Sequence, residues 1–337
     1  MDMDTAMPIP LTHTNTTMKN SFVAGVVAAF ALAFAGTASA DYPDHTIRII
    51  VPYAPGGGAD LLTRIVGQRL SERLKQPVVV ENEGGGSNTI GMGNVKRAEA
   101  DGYTLGVATP VFVVAPVGLK TKPYDPVKDF EPVAMIGVTP LVLCVHPSVN
   151  AKNLKEFIAL NKSKPNSMNF ASLGSYTTQG LAAYLFNQEA GIQATEVPYK
   201  GSAPGTADLL AGNVQYFFNA LPSMLGYIRK GSLRALGVSS AKRSADLPDV
   251  PAIKEVLPNY EVTTWYSFVA PKGTPPAVVA RLNKEINEIV REKDIAPKLR
   301  NHGVDADPIS PQQLGKLYET ELAKWTKVAK DAKLKPE

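Results

Sequence analysis

Apolar and polar positions along this chain change period repeatedly. "TIRIIVPY" (46–53) is an apolar run rich in β-branched residues, and it is followed by Leu61, Leu62, Ile65, Val66, Leu70 and Leu74 along one face at helical spacing. "PVVVEN" (77–82) reads as a short buried strand, "GGGSNTIGMGNVKRA" as a glycine-rich turn feeding a short helix, and "YTLGVAT" (103–109) as a third strand. Strands and helices of these lengths in alternation predict a mostly parallel sheet with helices on its faces.

Three prolines between Pro123 and Pro132, followed by more strand pattern, mark a crossing into a second lobe. There "NLKEFIALNKSKP" reads as a helix ending before Pro165, and "MNFASLGSYTTQGLAAYLFNQEAG" repeats the opening design of strand, polar turn and helix. "ATEVPYKGSAPGTADLLAGNVQYFFNALPSMLGYIRKG" predicts strand, turn, helix, then the same again, and "SLRALGVSS" one more strand. "YEVTTWYSFVAP" reads as a strand returning to the first lobe. Pro275-Pro276 opens a helix, and a closing amphipathic helix starts with Ser310 as N-cap. The expected architecture is α/β and two-lobed, with residues 41–142 plus 262–337 as one lobe and 143–261 as the other. Ligands of open α/β sheets sit off the carboxyl ends of the strands, so facing turns would make a cleft.

Composition narrows the function. A length of 337 residues favours two domains, and 44% apolar with 20% charged residues is a globular balance. A net charge of +4 without a basic stripe argues against nucleic acid as partner. "MKNSFVAGVVAAFALAFAGTASA" carries one lysine, an apolar stretch of secretory length and the ending Ala38-Ser39-Ala40, so a signal peptide cleaved after Ala40 is expected. A membrane anchor is the competing reading. "MDMDTAMPIPLTHTNTT" lacks the positive charge of a signal's start, which points to Met18 as the true translation start. The single cysteine, Cys144, sits in the apolar run "TPLVLCVHP" and reads as a buried small hydrophobe.

Candidate chemistry gathers in three turns. In "VPYAPGGGAD" (51–60) the glycines bare a helix start whose free N–H groups and dipole favour an anion, with Asp60 capping from the first turn. A tight turn without a ligand would look the same. A phosphate loop would continue Gly-Lys-Ser/Thr, whereas Gly58-Ala59-Asp60 stands here, and a carboxylate is the better anion. "FASLGSYTTQG" places Ser172, Ser175, Thr177 and Thr178 around Gly174, fit to bind a carboxylate or simply to cap a helix. In "VPYKGSAPGTAD" Tyr199 and Lys200 read either as cleft rim or as surface, and Asn219 either as a ligand-binding amide or as a turn former. His45, His146 and His302 have no metal-ligand spacing, His13 precedes the expected cleavage, and no nucleophile–base set appears. Neither a metal nor a cofactor is expected, and binding is favoured over catalysis.

These segments together resemble the Bug family, the solute-binding receptors of tripartite tricarboxylate transporters. The resemblance runs over nearly all of 41–330 and rests on "YPDHTIRIIVPYAPGGGAD", "VVVENEGGGSNTIGMGNVKRAEADGYTL", "YDPVKDFEPVAMIG", "FASLGS", "VPYKGSAPGTADLLAGNV", "GSLRALGVSSAKRSADLPDVPAIKEV" and "WYSFVAPKGTPPAVVARLNKEI". It implies a type II periplasmic binding protein with two connecting strands, a monomer enclosing a small mono- or dicarboxylate, aliphatic or aromatic, and delivering it to membrane transporter subunits. It further implies a ligand site of Tyr53 and the 56–60 turn (Gly57, Gly58, Ala59, Asp60), then Ser172, Gly174 and Ser175. Asn88 with Thr89, Thr109, the rim Tyr199-Lys200-Gly201 and Asn219 would complete it. Two positions depart from the family pattern: Gln179 replaces a common histidine, and Glu83-Gly84 an arginine-proline pair. A ligand-sensing partner of a signalling protein and, further off, an exported hydrolase or isomerase are the alternatives.

Overall fold

The computed structural model describes residues 42–85 and 88–335, so the signal-peptide reading of 1–40 lies outside the described residues. His45 opens one compact unit, and the cis Tyr42–Pro43 bond belongs to the short segment before it. The strands are β1 (Ile47–Val51), β2 (Val78–Asn82), β3 (Thr104–Ala108), β4 (Phe130–Val145), β5 (Asn169–Ser172), β6 (Thr195–Pro198), β7 (Tyr216–Ala220), β8 (Arg234–Val238) and β9 (Thr263–Pro271). The helices are α1 (Gly58–Leu74), α2 (Thr89–Arg97), α3 (Pro110–Gly118), α4 (Leu154–Ser163), α5 (Thr178–Ala190), α6 (Ser202–Ala211), α7 (Leu221–Arg229), α8 (Pro276–Ile289), α9 (Ala296–Asn301) and α10 (Pro311–Asp331).

The strands pair in the order β2-β1-β3-β9-β4-β7-β5-β6, with β8 also on β4. Parallel pairing joins β1 to β2 and β3, and β5 to β6 and β7. Every antiparallel pairing involves β4 or β9. The fold is therefore α/β and two-lobed, and β4 is the strand common to both sheets. Its residues Phe130–Pro140 pair with β9, and Leu141–Val145 with β7. At about 3.3 Å per residue a strand of this length spans both lobes. Along it Leu141, Leu143 and Val145 enter one buried cluster, while Val142 and Cys144 enter another on the opposite face. Burial on both faces is what makes this run apolar throughout. Cys144 is buried among these hydrophobes, and burial pushes its thiol well up.

One element was not legible in the sequence. The apolar run after "YTLGVAT" forms helix α3, whose Phe112, Val113 and Val114 are buried; a helix apolar all round has no periodic signature. The closing helix α10, capped by Ser310 accepting from Gln313 N–H at 3.2 Å, serves both lobes. Leu314 and Tyr318 lie in the first core with Phe112 and Trp265, whereas Trp325 and Val328 lie in the second with Phe186 and Tyr260.

Helix α1 is fixed to α8 by a basic pair on one side. Arg73 reaches Glu285 at 2.6 Å, Glu292 at 3.0 Å and also Glu288, and Arg69 reaches Glu292 at 2.6 Å. Glu285 is nearly buried, so removing Arg73 leaves it with Arg281 as its remaining cation. Arg73→Met is expected to lower unfolding free energy by about 1 kcal/mol in urea titration, since partly exposed pairs are worth little and buried unpaired charge costs more. An unchanged midpoint would mean that this clamp holds nothing.

Candidate functional site

The first turn is built at the carboxyl ends of β1 and β3. Gly57 is the N-cap of α1 in extended conformation, no side chain caps it, and Gly57 and Gly58 are exposed. Gly56, at φ +85, makes the bend that a residue with a side chain resists. Asp60 is buried and reaches back, accepting from Gly56 N–H at 2.9 Å. Asn82, at the end of β2, donates to the other Asp60 oxygen at 3.0 Å and to Tyr53 O at 3.2 Å, and Arg64 pairs with Asp60 at 2.9 Å. Burial alone would raise the Asp60 carboxyl, but hydrogen bonds from Arg64, Gly56 and Asn82 outweigh it and hold it below the usual carboxylate range. Asp60 thus braces the turn from behind and leaves its N–H groups open.

Tyr53 and Thr109 share a short hydrogen bond between hydroxyls, which joins the loop after β1 to the start of α3. Burial pushes the Tyr53 phenol well up, so it stays protonated. Sequence reasoning missed Tyr266 of β9, whose hydroxyl lies 3.3 Å from where a Gly58 Cβ would stand. Tyr53, Gly57, Gly58, Ala59, Asp60, Thr109 and Tyr266 are therefore assembled around one turn. Asn88 is the left-handed N-cap residue of α2, at φ 72. Glu83 turns to α2 as well, accepting from Asn94 at 2.5 Å.

The second turn has a different character. Ser172 and Ser175 do come together with Gly174, but around a side chain absent from the expected set, Glu196 of β6. Ser172 Oγ donates to Glu196 Oε1 at 2.5 Å, and Ser175 Oγ to Oε2 at 2.8 Å. Tyr184 Oη donates to Oε2 at 2.7 Å, and its phenol is pushed up to about 12 by burial and by that carboxylate. Thr177 caps α5 through Gly180 N–H at 3.1 Å. Gly180 also lets the helix start pass Gly174: a Cβ there would lie 2.3 Å from Gly174 O. Gly180→Ala must therefore displace the turn, with an expected loss of about 2 kcal/mol of stability. Circular dichroism melting checks this, and an unshifted transition would show that the turn yields freely.

The third group is tied down. Tyr199 Oη donates to Asp208 at 2.7 Å, and burial with Asp208 pushes its phenol up to about 12. Asn219 is buried, donates to Ser202 Oγ and accepts from Ala220 N–H at 2.9 Å, so its amide joins β7 to α6. Lys200 is exposed, and Gly201, at φ +121, is the N-cap of α6. The first and second turns meet through α3. Thr109 begins it, and at its other end a Gly118 Cβ would lie 2.5 Å from the ring of Tyr176, the neighbour of Ser175. About 13 Å of helix rise separates these two points. A cavity of 1240 Å³ opens elsewhere, between the crossing strands and the 240–245 and 304–309 segments, and none of the expected ligand residues lines it.

Two sheets linked through a shared strand, β4, with glycine turns at the carboxyl ends of their parallel strands, define a two-lobed solute-binding receptor. The chain belongs to the tripartite tricarboxylate transporter family receptors (TctC), whose family profile matches residues 62–334. It is similar to the protein BugT of Bordetella pertussis (strain Tohama I), with 35% identity over 93% of this chain and 98% of that one. Among solved structures it is similar to R. palustris Rpa4515 with adipate, at 34% identity and TM-score 0.75, over 88% of this chain and 100% of that chain. It is also similar to MatC (Rpa3494) from Rhodopseudomonas palustris with bound malate, at 30% identity and TM-score 0.70, over 85% and 99% of the two chains.

Proposed function

We propose that this protein is a periplasmic receptor that captures a small carboxylate and delivers it to membrane subunits of a tripartite tricarboxylate transporter. The observation that carries this reading is the open N-terminus of α1, where Gly57 and Gly58 are exposed, uncapped by any side chain. Free N–H groups on a helix dipole favour an anion, and hydroxyls of Tyr53, Thr109 and Tyr266 stand beside them. That two relatives were solved with adipate and with malate supports a carboxylate as that anion.

Residues 41–142 plus 262–337 and residues 143–261 act as the two closing bodies, with β4 and β9 crossing between them. Closure excludes water and strengthens the polar grip. The chain is exported with residues 1–40 removed and works as a monomer that leaves its ligand chemically unchanged. Thermal-shift and calorimetric titration of the chain from Asp41 onward, against aliphatic and aromatic carboxylates, tests the reading. A ligand raises the melting temperature by mass action and is recovered unaltered. If no carboxylate binds, the reading falls; if an acid is turned over, the receptor role falls with it.

A further inference from the structure

Glu196 makes the two turns chemically opposite. Its carboxylate accepts from the hydroxyls of Ser172, Ser175 and Tyr184, at 2.5, 2.8 and 2.7 Å. A hydroxyl carries one proton to donate. With those protons directed at Glu196, the two serines offer only lone pairs, and one of Ser172's already takes Gly174 N–H at 3.1 Å. The serine hydroxyls of the second turn are therefore already engaged by a carboxylate of the chain itself. Among the described residues no lysine, arginine or histidine pairs with Glu196, which is half-buried. The first turn differs: its carboxylate, Asp60, is held by Gly56 N–H and Asn82 and is paired with Arg64 at 2.9 Å.

We infer that Glu196 is a specificity-determining residue, which makes the second turn select a hydrogen-bond-donating, cationic group on the ligand. This rests on the carboxylate-receptor reading. The ligand sets its carboxylate on the first turn and presents an ammonium group toward Glu196 and Ser175. A second carboxylate at that end would meet like charge and hydroxyls without protons to give, which is discrimination by an unfavourable contact. Ser172, fully buried, acts here by holding Glu196.

Acids matched in length and differing only at the far end test this: hexanoate, 6-aminohexanoate and adipate, and butanoate, 4-aminobutanoate and succinate. Each is titrated calorimetrically into the wild-type protein, Glu196→Gln and Glu196→Thr, with the fold of both variants checked by circular dichroism; the threonine variant suits a strand if the glutamine one is unstable. In the wild type the amino acid should bind about tenfold or more tightly than the diacid of the same length. In the variants the two should fall within about threefold, mainly through tighter diacid binding. A wild-type preference for the diacid, or a ratio the variants leave unchanged, overturns the assignment of Glu196 while the receptor reading stands. Failure of all six to bind overturns the assignment of Glu196, and the receptor reading falls with it only if aromatic carboxylates fail to bind as well.

Discussion

Replacing Gly58 by valine is expected to abolish most ligand binding while leaving the fold in place. Gly58 is the first residue of α1, its backbone lies outside the left-handed region, and so a side chain there does not strain the helix. What a side chain does is occupy the space before the turn. Its Cβ would sit 3.3 Å from Tyr266 Oη, and the two further methyls of valine would cover the N–H groups that Gly57 and Gly58 leave bare. Loss of one well-aligned charged hydrogen bond and displacement of a second predict an affinity drop of about a hundredfold, near 2.7 kcal/mol. The melting temperature without ligand should stay within about 2 °C of wild type. Gly57→Ala is the companion variant: its Cβ meets only Ala54 O, at 3.8 Å, an ordinary contact, and a smaller loss is expected. Calorimetric titration with the tightest carboxylate found decides the matter. Wild-type affinity in Gly58→Val would place the anion somewhere other than this turn.

Asp60 should show the opposite separation, a stability defect first. Asp60→Ala removes a buried acceptor and leaves Gly56 N–H and the Asn82 amide without their partner. Arg64 is half exposed and can turn to water. About 2 kcal/mol of destabilisation is expected, and about half of that for Asp60→Asn, which keeps one acceptor oxygen but loses the charge. The pH dependence has a definite sign. Because the folded carboxyl is held below its unfolded value, the wild-type advantage over Asp60→Asn is fully present above the unfolded pKa, about 3.9. It shrinks as pH falls through that value toward the folded one and is gone below both. Urea unfolding at neutral and acid pH measures it. A difference between the two proteins that widens on acidification would show that the charged Asp60 does not stabilise the turn.

The strand–glycine–helix units were legible because their causes are local. β-branched runs, helical spacing and Gly57-Gly58 before an apolar face act within a few residues, and β1, α1, β5 and α5 follow that pattern. The first turn could be read as an anion-holding helix start for the same reason. Its bracing could not: Asn82 reaches Asp60 from the neighbouring strand, and only the β1–β2 register, with Val51 opposite Asn82, puts it there. Asn219 illustrates a type of residue whose role depends on what surrounds it. Buried against Ser202 and Met224, it spends its amide inside the second lobe.

Glu196 marks the boundary most clearly. A lone acid in "ATEVPYKG" carries no local signal, and its meaning comes from β5 lying parallel to β6 with Phe170 opposite Glu196. That pairing brings the acid to Ser172 and Ser175, residues 24 and 21 positions away. By itself the sequence determined the α/β class and the strand–turn–helix units that carry the two turns, since each depends on short-range propensity or on residue type. Tertiary structure decided that the serine hydroxyls of the second turn are engaged by Glu196. A hydroxyl's single proton goes to whichever acceptor the fold brings within reach, and strand register chooses that acceptor.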